Sequence, residues 1–272
     1  MRPLLKWAGG KRGLVERILD LFPHGHPASA YHEPFMGGGA VFFNLEPERG
    51  TVNDINPHLM NFYGVVRDSP EELIEVAGGY NYDKEEYYRH RTRFNERPSD
   101  PVEDAALFLY LNRTAYNGLY RVNSKGEFNV PFGRYKHPTI VYPRRIMKAS
   151  KLLREVDIRC GDFLYLLEMA EAGDLCYLDP PYVPVSDTAH FTDYSAGGFT
   201  EDDQRRLRDM CVELDARGVV FVQSNSDTGL VRRLYEGVGF RLESVKTLRM
   251  ISSKVSSRSK GHDLLITNSQ AS

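Results

Sequence analysis

Short apolar runs that end in turn-forming or acidic residues recur along the chain and are typical of buried β-strands. They lie at residues 30–33, 51–53, 156–159, 174–178, 219–223 and 263–266. Apolar residues at helical spacing predict helices between several of them, at 11–22 and at 201–216, with Thr200 as the N-cap of the second and Asp203 in its first turn. Strands that alternate with helices predict an α/β fold with a mostly parallel sheet.

The middle of the chain interrupts this alternation. Residues 84–95 and 102–112 have helical patterns, and the segment after them is rich in Asn, Gly and aromatic residues. We therefore predict a second, mostly helical domain at 56–141, inserted into a larger α/β domain formed by residues 1–55 and 142–272.

Positive charge is concentrated in two stretches, although the net charge is only −2. Residues 111–136 carry five basic side chains and one acidic side chain, and residues 246–260 carry five basic side chains and no acidic one. Such clustering is expected of a nucleic-acid footprint. By charge alone, two solvated loops are an equally good interpretation.

Cysteine content and hydropathy indicate the compartment. The three cysteines form no CxxC pair, so neither a disulfide framework nor a zinc site is supported. The longest apolar stretch, 105–111, is far too short to cross a bilayer, and the first residues do not resemble a signal peptide. We expect a protein of the reducing cytoplasm with no metal site and no membrane partner.

Asp179-Pro180-Pro181-Tyr182 directly follows the predicted strand at 174–178. The carboxyl end of a parallel strand is where α/β proteins place their ligands, although Pro-Pro after a strand can also be only a stiff turn. The two prolines restrict the backbone, so the Asp179 carboxylate and a main-chain carbonyl form two convergent acceptors suited to an NH2 group. Tyr182 adds a flat face on which a base can stack.

A glycine-rich segment suggests a nucleotide-like ligand. Glu33-Pro34-Phe35-Met36-Gly37-Gly38-Gly39 follows the first predicted strand, and it is either a ligand-binding turn or a tight structural one. It is not a dinucleotide fingerprint, because Phe42 stands where the last glycine would be. Asp54, after the next strand, is placed to bind ribose hydroxyls. Trp7, in the segment before Lys11, is either an aromatic wall over a cofactor or a core residue.

Basic and aromatic residues alternate between positions 112 and 135, around the turn signals Asn117-Gly118 and Lys125-Gly126. This pattern predicts a β-hairpin. Arginine can bond guanine edges and an aromatic ring can wedge into a base step, so we interpret the segment as a projection that reads DNA.

Taken together, these segments resemble the Dam-type DNA adenine methyltransferases (class alpha, D12), in which a target-recognition domain lies between the glycine-rich and DPPY motifs. The resemblance covers nearly the whole chain and rests on residues 6–11, 33–39, 54–56, 117–119, 126–135, 179–182, 191–192 and 224–225. It implies a seven-stranded, Rossmann-like S-adenosylmethionine-dependent methyltransferase sheet with one antiparallel strand, a recognition domain bearing the hairpin, S-adenosyl-L-methionine as cofactor and double-stranded DNA as partner.

The resemblance also assigns site residues. The residues expected to bind the cofactor include two glycines of the glycine-rich turn. They are Trp7, Lys11, Phe35, Gly37, Gly39, Asp54, Asp162, Phe163 and Asp179. Those implied for catalysis are Asp179, Pro180 and Tyr182. Those implied for reading the DNA site are Lys6, Leu119, Arg121, Pro131 and Tyr135. Further DNA contacts are Arg113, Asn117 and, from the basic hairpin, Arg134, with Tyr116 wedging into the duplex.

These residues predict a monomeric enzyme that methylates adenine N6 within GATC or a longer site containing GAT. The loop at 183–199 is expected to be mobile without DNA and to close over a flipped base. The main enzymatic alternative is methylation of cytosine N4 or of a protein glutamine. Cytosine-C5 chemistry would need a cysteine after proline, and the three cysteines follow Arg159, Leu175 and Met210. A DNA-binding module without catalysis is a further alternative.

Overall fold

The expected alternation of strands and helices is present in the computed structural model of the chain, which describes residues 1–23, 30–182, 199–248 and 260–269. The strands are β1 (Tyr31–Glu33), β2 (Gly50–Asp54), β3 (Asp157–Cys160), β4 (Leu175–Leu178), β5 (Val220–Ser226), β6 (Arg241–Leu248) and β7 (Lys260–Thr267). The α-helices are α1 (Val15–Asp20), α2 (Phe42–Leu45), α3 (Pro57–Asp68), α4 (Pro70–Gly78), α5 (Lys84–Asn95), α6 (Pro101–Thr114), α7 (Pro143–Leu153), α8 (Leu166–Met169), α9 (Glu201–Ala216) and α10 (Gly229–Tyr235).

Seven strands form one sheet in the order β3-β2-β1-β4-β5-β7-β6. The pairs β2/β3, β1/β4 and β4/β5 are parallel, whereas β7 is antiparallel to both of its neighbours, β5 and β6. The predicted α/β class, with one antiparallel strand in a seven-stranded sheet, is therefore confirmed. Six of the strands were predicted, and β6 was not.

Local side chains fix where several helices begin. Thr200 and Asp203 form a reciprocal capping box at the start of α9, as the sequence predicts. Asn56 accepts a hydrogen bond from the amide of Leu59 and precedes Pro57, so α3 begins directly after β2. The first turn of α3 consequently lies beside the carboxyl end of β2, which carries Asp54.

The described chain divides into two compact units. The first contains Met1–Gly10 and Met36–Asp162, and in it α3 packs against α6 and α7. The second contains the remaining described residues, and its core includes Leu178, Leu214 and Ile266. The functional division into residues 56–141 and the two flanking segments stays a prediction.

The segment predicted as a β-hairpin is irregular. It has two isolated antiparallel bridges, Ala115 with Phe132 and Val122 with Phe128, and no continuous strand. Asn117 and Gly118 belong to a 3-10 turn in which both have positive φ. The bridges keep the antiparallel course of the chain, but the ladder is interrupted because many carbonyls of this segment bond to side chains of other elements, such as Val130 to Tyr87.

Two predictions concern segments that lie wholly or mostly outside the described residues. The mobile loop at 183–199 lies outside the described residues except for its last position, and so does most of the basic stretch at 246–260. The predicted helix at 11–22 is shorter than expected, since α1 begins at Val15. In the described part of the chain, no helix is long and apolar enough to cross a membrane.

Candidate active site

Asp179 directly follows β4 and is held by two side chains of the second unit. Lys11 Nζ lies 2.7 Å from Oδ1 and 2.9 Å from Oδ2 of the carboxylate, and only 6% of the Lys11 side chain is exposed. Ser224, on the neighbouring strand β5, donates from Oγ to Asp179 Oδ1 at 2.8 Å, and the Tyr177 hydroxyl lies 2.9 Å from the same Ser224 oxygen. The carboxylate is therefore fixed in one orientation.

This arrangement leaves the Asp179 carboxylate able to accept one more hydrogen bond at Oδ2. A carboxylate has about four lone-pair positions, and Ser224 and Lys11 occupy those of Oδ1. Burial raises the pKa of Asp179 above its ordinary value, and the nearby charge of Lys11 and the bond from Ser224 oppose that rise. The group is a desolvated acceptor whose charge is maintained by its partners.

Tyr182 lies in the same cluster. Its hydroxyl donates to Asp263 Oδ2 at 2.8 Å, and Lys11 Nζ lies 4.5 Å from the centroid of its ring. Burial, followed by the nearby carboxylates of Asp179 and Asp263, raises the pKa of Tyr182 well above its usual value, so the phenol stays protonated and donates. With Lys11 over one face of the ring, the opposite face is the one on which a base can stack.

Two predicted cofactor residues, Phe35 and Phe163, are in contact with each other. Their ring centroids are 5.3 Å apart, and Phe199 is 5.9 Å from the first and 5.8 Å from the second. Arg206 lies 5.1 Å from the Phe163 ring. Phe163 is 5% exposed and part of the core, whereas Phe35 and Phe199 are partly exposed and form a small aromatic surface.

Asp54 holds the glycine-rich turn in the first unit. Its Oδ2 accepts the amide of Gly37 and its Oδ1 accepts the amide of Asn56, both at 3.0 Å. Burial raises the pKa of Asp54, and these amides oppose the rise. The next residue, Ile55, is 65% exposed. Asp162, which follows β3, is exposed.

Trp7 packs on the glycine-rich turn. A Cβ on Gly37 would lie 2.7 Å from Trp7 Cδ1, and Gly37 has φ +47°. The Trp7 ring also stacks on the Tyr120 ring, with the two centroids 5.6 Å apart and an angle of 23° between the ring planes. Gly37 thus accommodates an indole of the same chain. Gly39 has φ +65° and faces Phe43, so its role in the turn is also conformational.

Lys6 joins the Trp7 segment to the predicted DNA-reading segment. Its backbone amide donates to Asn112 Oδ1 at 2.9 Å, and Asn112 Nδ2 donates to its carbonyl at 2.7 Å. Its ammonium lies 4.0 Å from the centroid of the Tyr135 ring. The aliphatic part of the side chain covers Gly118, where any Cβ would lie 2.3 Å from Lys6 Cδ.

The predicted DNA-contacting residues differ in exposure. Those exposed are Tyr116, Asn117, Arg121, Pro131 and Arg134, and those partly buried are Lys6, Arg113, Leu119 and Tyr135. Tyr116 is 40% exposed, and Arg121 is held by a bond from its Nε to Asn129 Oδ1 at 2.7 Å. Arg113 donates to the Leu4 carbonyl, so part of its guanidinium already has a protein partner.

Ser224 and Asp263 were not predicted as site residues, and Phe199 was predicted only as the last position of the loop at 183–199. Ser224 belongs to a segment that carried the resemblance, and its position in the strand next to β4 is the signal that could have identified it. Asp263 and Phe199 are far from the motifs in sequence, and only the pairing of β5 with β7 and the packing of α9 bring them close. Among the described residues, no group of three or more His, Cys, Asp or Glu side chains is placed to hold a metal ion.

A seven-stranded sheet with one antiparallel strand, and a partly buried carboxylate followed by Pro-Pro-Tyr at the end of a central strand, define an α/β enzyme of the methyltransferase class. Residues 7–251 match the model of the D12 class N6 adenine-specific DNA methyltransferases. The chain belongs to this family and is an adenine-specific DNA methyltransferase. Enzymes of this family generally use S-adenosylmethionine, and their substrate is DNA.

Proteins from bacteria and an archaeon are similar to the chain over nearly its full length. It is 41% identical over 275 residues to a type II methyltransferase, M1.LlaDCHI, of Lactococcus lactis subsp. cremoris, covering 98% of this chain and 95% of that protein. It is 42% identical to the type II methyltransferase M.MjaIII of Methanocaldococcus jannaschii, covering 98% and 99%. It is 38% identical to the DNA adenine methylase of Escherichia coli K12, covering 97% and 94%.

Proposed function

We propose that this enzyme transfers a methyl group from S-adenosyl-L-methionine to N6 of an adenine flipped out of double-stranded DNA, within the sequence GATC. The observation that carries the proposal is the fixed, desolvated carboxylate of Asp179, which retains an acceptor position at Oδ2 and precedes Pro180 and the stacking ring of Tyr182. An amino group on a flat ring is the chemical group that this set of side chains fits.

The chain's residues fit the cofactor. The Asp54 carboxylate accepts the amides of Gly37 and Asn56, and the amide of Ile55 also stabilises its charge, which leaves about one lone-pair position for a ribose hydroxyl. In the first unit, Ile55 next to Asp54 offers apolar surface to a base. On the family resemblance, we assign Trp7, Lys11, Phe35 and the backbone at Asp162 and Phe163 to the same ligand. When bound, S-adenosylmethionine supplies an electrophilic methyl group on a sulfonium.

Asp179 and the carbonyl of Pro180 would orient the target nitrogen. Adenine N6 is a poor nucleophile because its lone pair is delocalised into the ring. Hydrogen bonds from its two N–H groups to these acceptors favour a more tetrahedral nitrogen with an available lone pair. Positioning of this kind accounts for much of the acceleration expected of such an enzyme.

Aromatic residues would stabilise the extrahelical base. Removing a base from the duplex costs a few kcal/mol, and stacking on an aromatic ring returns about 1–3 kcal/mol. The partly exposed ring of Tyr182 is suited to that stacking. The exposed Tyr116 is suited to fill the space left in the duplex, and the loop at 183–199 would close over the base.

Residues 56–141 would read the site, and residues 1–55 and 142–272 would carry the chemistry. We assign recognition of bases to Lys6, Leu119, Arg121, Pro131 and Tyr135, with Asn117, Arg113 and Arg134 on the backbone of the duplex. The contacts of Lys6 with Asn112 and Tyr135 support its role in linking base recognition to the Trp7 segment.

We further propose that the enzyme acts as a monomer in the cytoplasm. The large hydrophobic side chains exposed in the described part of the chain are Ile55, Tyr116 and Val212. Three scattered residues do not form the contiguous apolar patch that a stable homodimer would bury. Sedimentation of the protein with and without DNA tests this assignment.

Transfer of label from the cofactor tests the proposed reaction. The protein is incubated with methyl-labelled S-adenosylmethionine and duplexes that contain GATC, a scrambled site, or GATC already methylated on both strands. Label in N6-methyladenine, from the unmethylated GATC duplex alone, is the expected result. Label in N4-methylcytosine or in protein would contradict the proposal, and equal labelling of the scrambled duplex would exclude the assigned site.

A further inference from the structure

Two guanidinium groups of the first unit lie at the ring of Tyr142, and a third cationic side chain, Lys6, is near one of them. The guanidinium of Arg113 is 4.9 Å from the centroid of this ring, and that of Arg145 is 4.3 Å from it. Lys6 is close enough to Arg113 for the two charges to repel. We call Arg113, Tyr142 and Arg145 the Tyr142 cluster.

Among the residues that the structure describes, no acidic side chain is paired with these cations. In the described part of the chain, none of the ion pairs involves Lys6, Arg113 or Arg145. The Nε of Arg113 is buried without a hydrogen-bond partner. Burial lowers the pKa of Arg113, and the charge of Arg145 lowers it further. Like charges held together without a carboxylate oppose folding, which suggests that the charges serve binding.

The fold nevertheless holds these side chains in place. Arg113 is in the last turn of α6 and donates to the Leu4 carbonyl. Tyr142 precedes α7, and its carbonyl accepts the amide of Arg145, so the ring and the second guanidinium are set by the start of one helix. Stacked guanidinium groups keep their edge N–H donors available, and these donors match the oxygens of a phosphate.

We propose that the Tyr142 cluster binds one phosphate of the DNA backbone beside the recognition site, with Arg145 as a DNA contact that lies outside the predicted recognition domain. This inference rests on the proposed function for its partner. DNA is favoured because Arg113 is three residues before the exposed Tyr116. A phosphate is also the anion that recurs along the established substrate of the enzyme.

Neutralisation of Arg145 tests the proposal, with its neighbour Arg144 as a matched control. Arg144 carries the same charge on the same helix, but it is exposed and lies with Met147 and Lys148 in a shallow groove. Arg145→Gln should weaken binding of a GATC duplex about tenfold. It should reduce the slope of log Kd against log salt by about 0.9, and equally for a scrambled duplex, since backbone contacts carry no sequence information. Arg144→Gln should change neither quantity.

A phosphate scan identifies the contact. Single phosphates of the duplex are replaced by neutral methylphosphonates, and each duplex is titrated with wild type and Arg145→Gln. At one position, the replacement should weaken DNA binding by wild type and should not weaken binding by Arg145→Gln any further. This non-additivity is expected of two groups in contact. Methylation assays should place the loss more in KM for DNA than in kcat, and thermal unfolding checks that the variant folds.

Several outcomes would overturn the inference. Equal losses for Arg144→Gln and Arg145→Gln would indicate a diffuse charge effect, and additive losses at every phosphate would exclude a specific contact. If inorganic phosphate abolished the difference between wild type and variant at low concentration, the site would bind free phosphate instead. Failure of wild type to methylate DNA would refute the proposed function and leave the binding result to stand separately.

Discussion

Ser224 Oγ donates a hydrogen bond to Asp179 Oδ1 at 2.8 Å, from the strand next to the one that carries Asp179. The Ser224 side chain is fully buried and is itself 2.9 Å from the Tyr177 hydroxyl. A desolvated carboxylate with such a partner has one orientation and a lower cost of being charged. The relationship makes Ser224 a positioning residue for the group that would hold the target nitrogen.

Ser224→Ala is therefore expected to slow methyl transfer. A hydrogen bond to a charged group contributes about 1.5–3 kcal/mol, which corresponds to roughly 10–100-fold in rate if it is fully expressed in the transition state. The same bond opposes the rise that burial causes in the pKa of Asp179, so its loss should raise that pKa further. Because the carboxylate is the active form, activity falls as pH drops through this pKa. The acidic limb of the single-turnover pH profile should move to higher pH in the variant.

Ser150→Ala is a suitable control for that experiment. Ser150 is also a buried serine, but its hydroxyl donates to the Arg67 carbonyl in the first unit. Its replacement should lower stability slightly and leave the acidic limb in place. A Ser224→Ala enzyme with an unmoved pH profile would show that the serine has only a structural role.

Asp179→Asn is expected to abolish methylation and also to lower stability. The buried ammonium of Lys11 would lose its carboxylate, and breaking a buried ion pair typically costs about 3–5 kcal/mol. The double variant Lys11→Met/Asp179→Asn should recover much of that stability while staying inactive. Urea denaturation and single-turnover assays separate the two effects. A single variant as stable as wild type would mean that the ion pair contributes little to folding.

Tyr182→Phe and Tyr182→Ala should differ. The Phe variant keeps the ring and loses the bond to Asp263, so it should retain base stacking with poorer orientation. The Ala variant loses the stacking of about 1–3 kcal/mol. With 2-aminopurine at the target position, fluorescence enhancement on binding should be reduced for Phe and nearly absent for Ala. Equal signals from the two variants would refute a stacking role for the ring.

The sheet was predictable because its strands are short, apolar and bounded by turn residues, as in Leu175–Leu178. The edge strand β6 was missed because its sequence, Arg241–Leu248, contains charged residues among the apolar ones. The helices α3 and α4 were not individually predicted, although both lie in the region at 56–141 that was predicted to be mostly helical. The motif positions were identifiable, whereas Asp263 depended on a pairing of distant strands.

The aromatic residues of the segment 112–135 show where pattern and structure differ. Their number was interpreted as evidence for DNA contact. In the structure Phe128 is 2% exposed, and Phe132 stacks on Tyr82 with ring centroids 4.7 Å apart. Tyr120 stacks on Trp7. These rings attach an irregular segment to its helices, and Tyr116 is the aromatic residue of the segment with an exposed side chain. Composition alone does not distinguish rings that pack from rings that contact a ligand.

Replacement of Arg121 by alanine and replacement of Arg113 by alanine are expected to have different effects on methylation. Arg121 is exposed and is oriented by Asn129, so it is suited to read a guanine edge in the major groove. A bidentate contact between arginine and guanine provides about 1–3 kcal/mol of discrimination against other bases. Arg113 stacks on Tyr142 and bonds to Leu4, so it is suited to a backbone phosphate.

Methylation of duplexes carrying every single substitution of GATC should show that Arg121→Ala accepts changes at the outer base pair. Arg113→Ala should slow all duplexes alike and flatten the dependence on salt. If wild type itself tolerates changes at the outer pair, the site is not GATC. If Arg121→Ala loses activity with its selectivity intact, the arginine does not read that base.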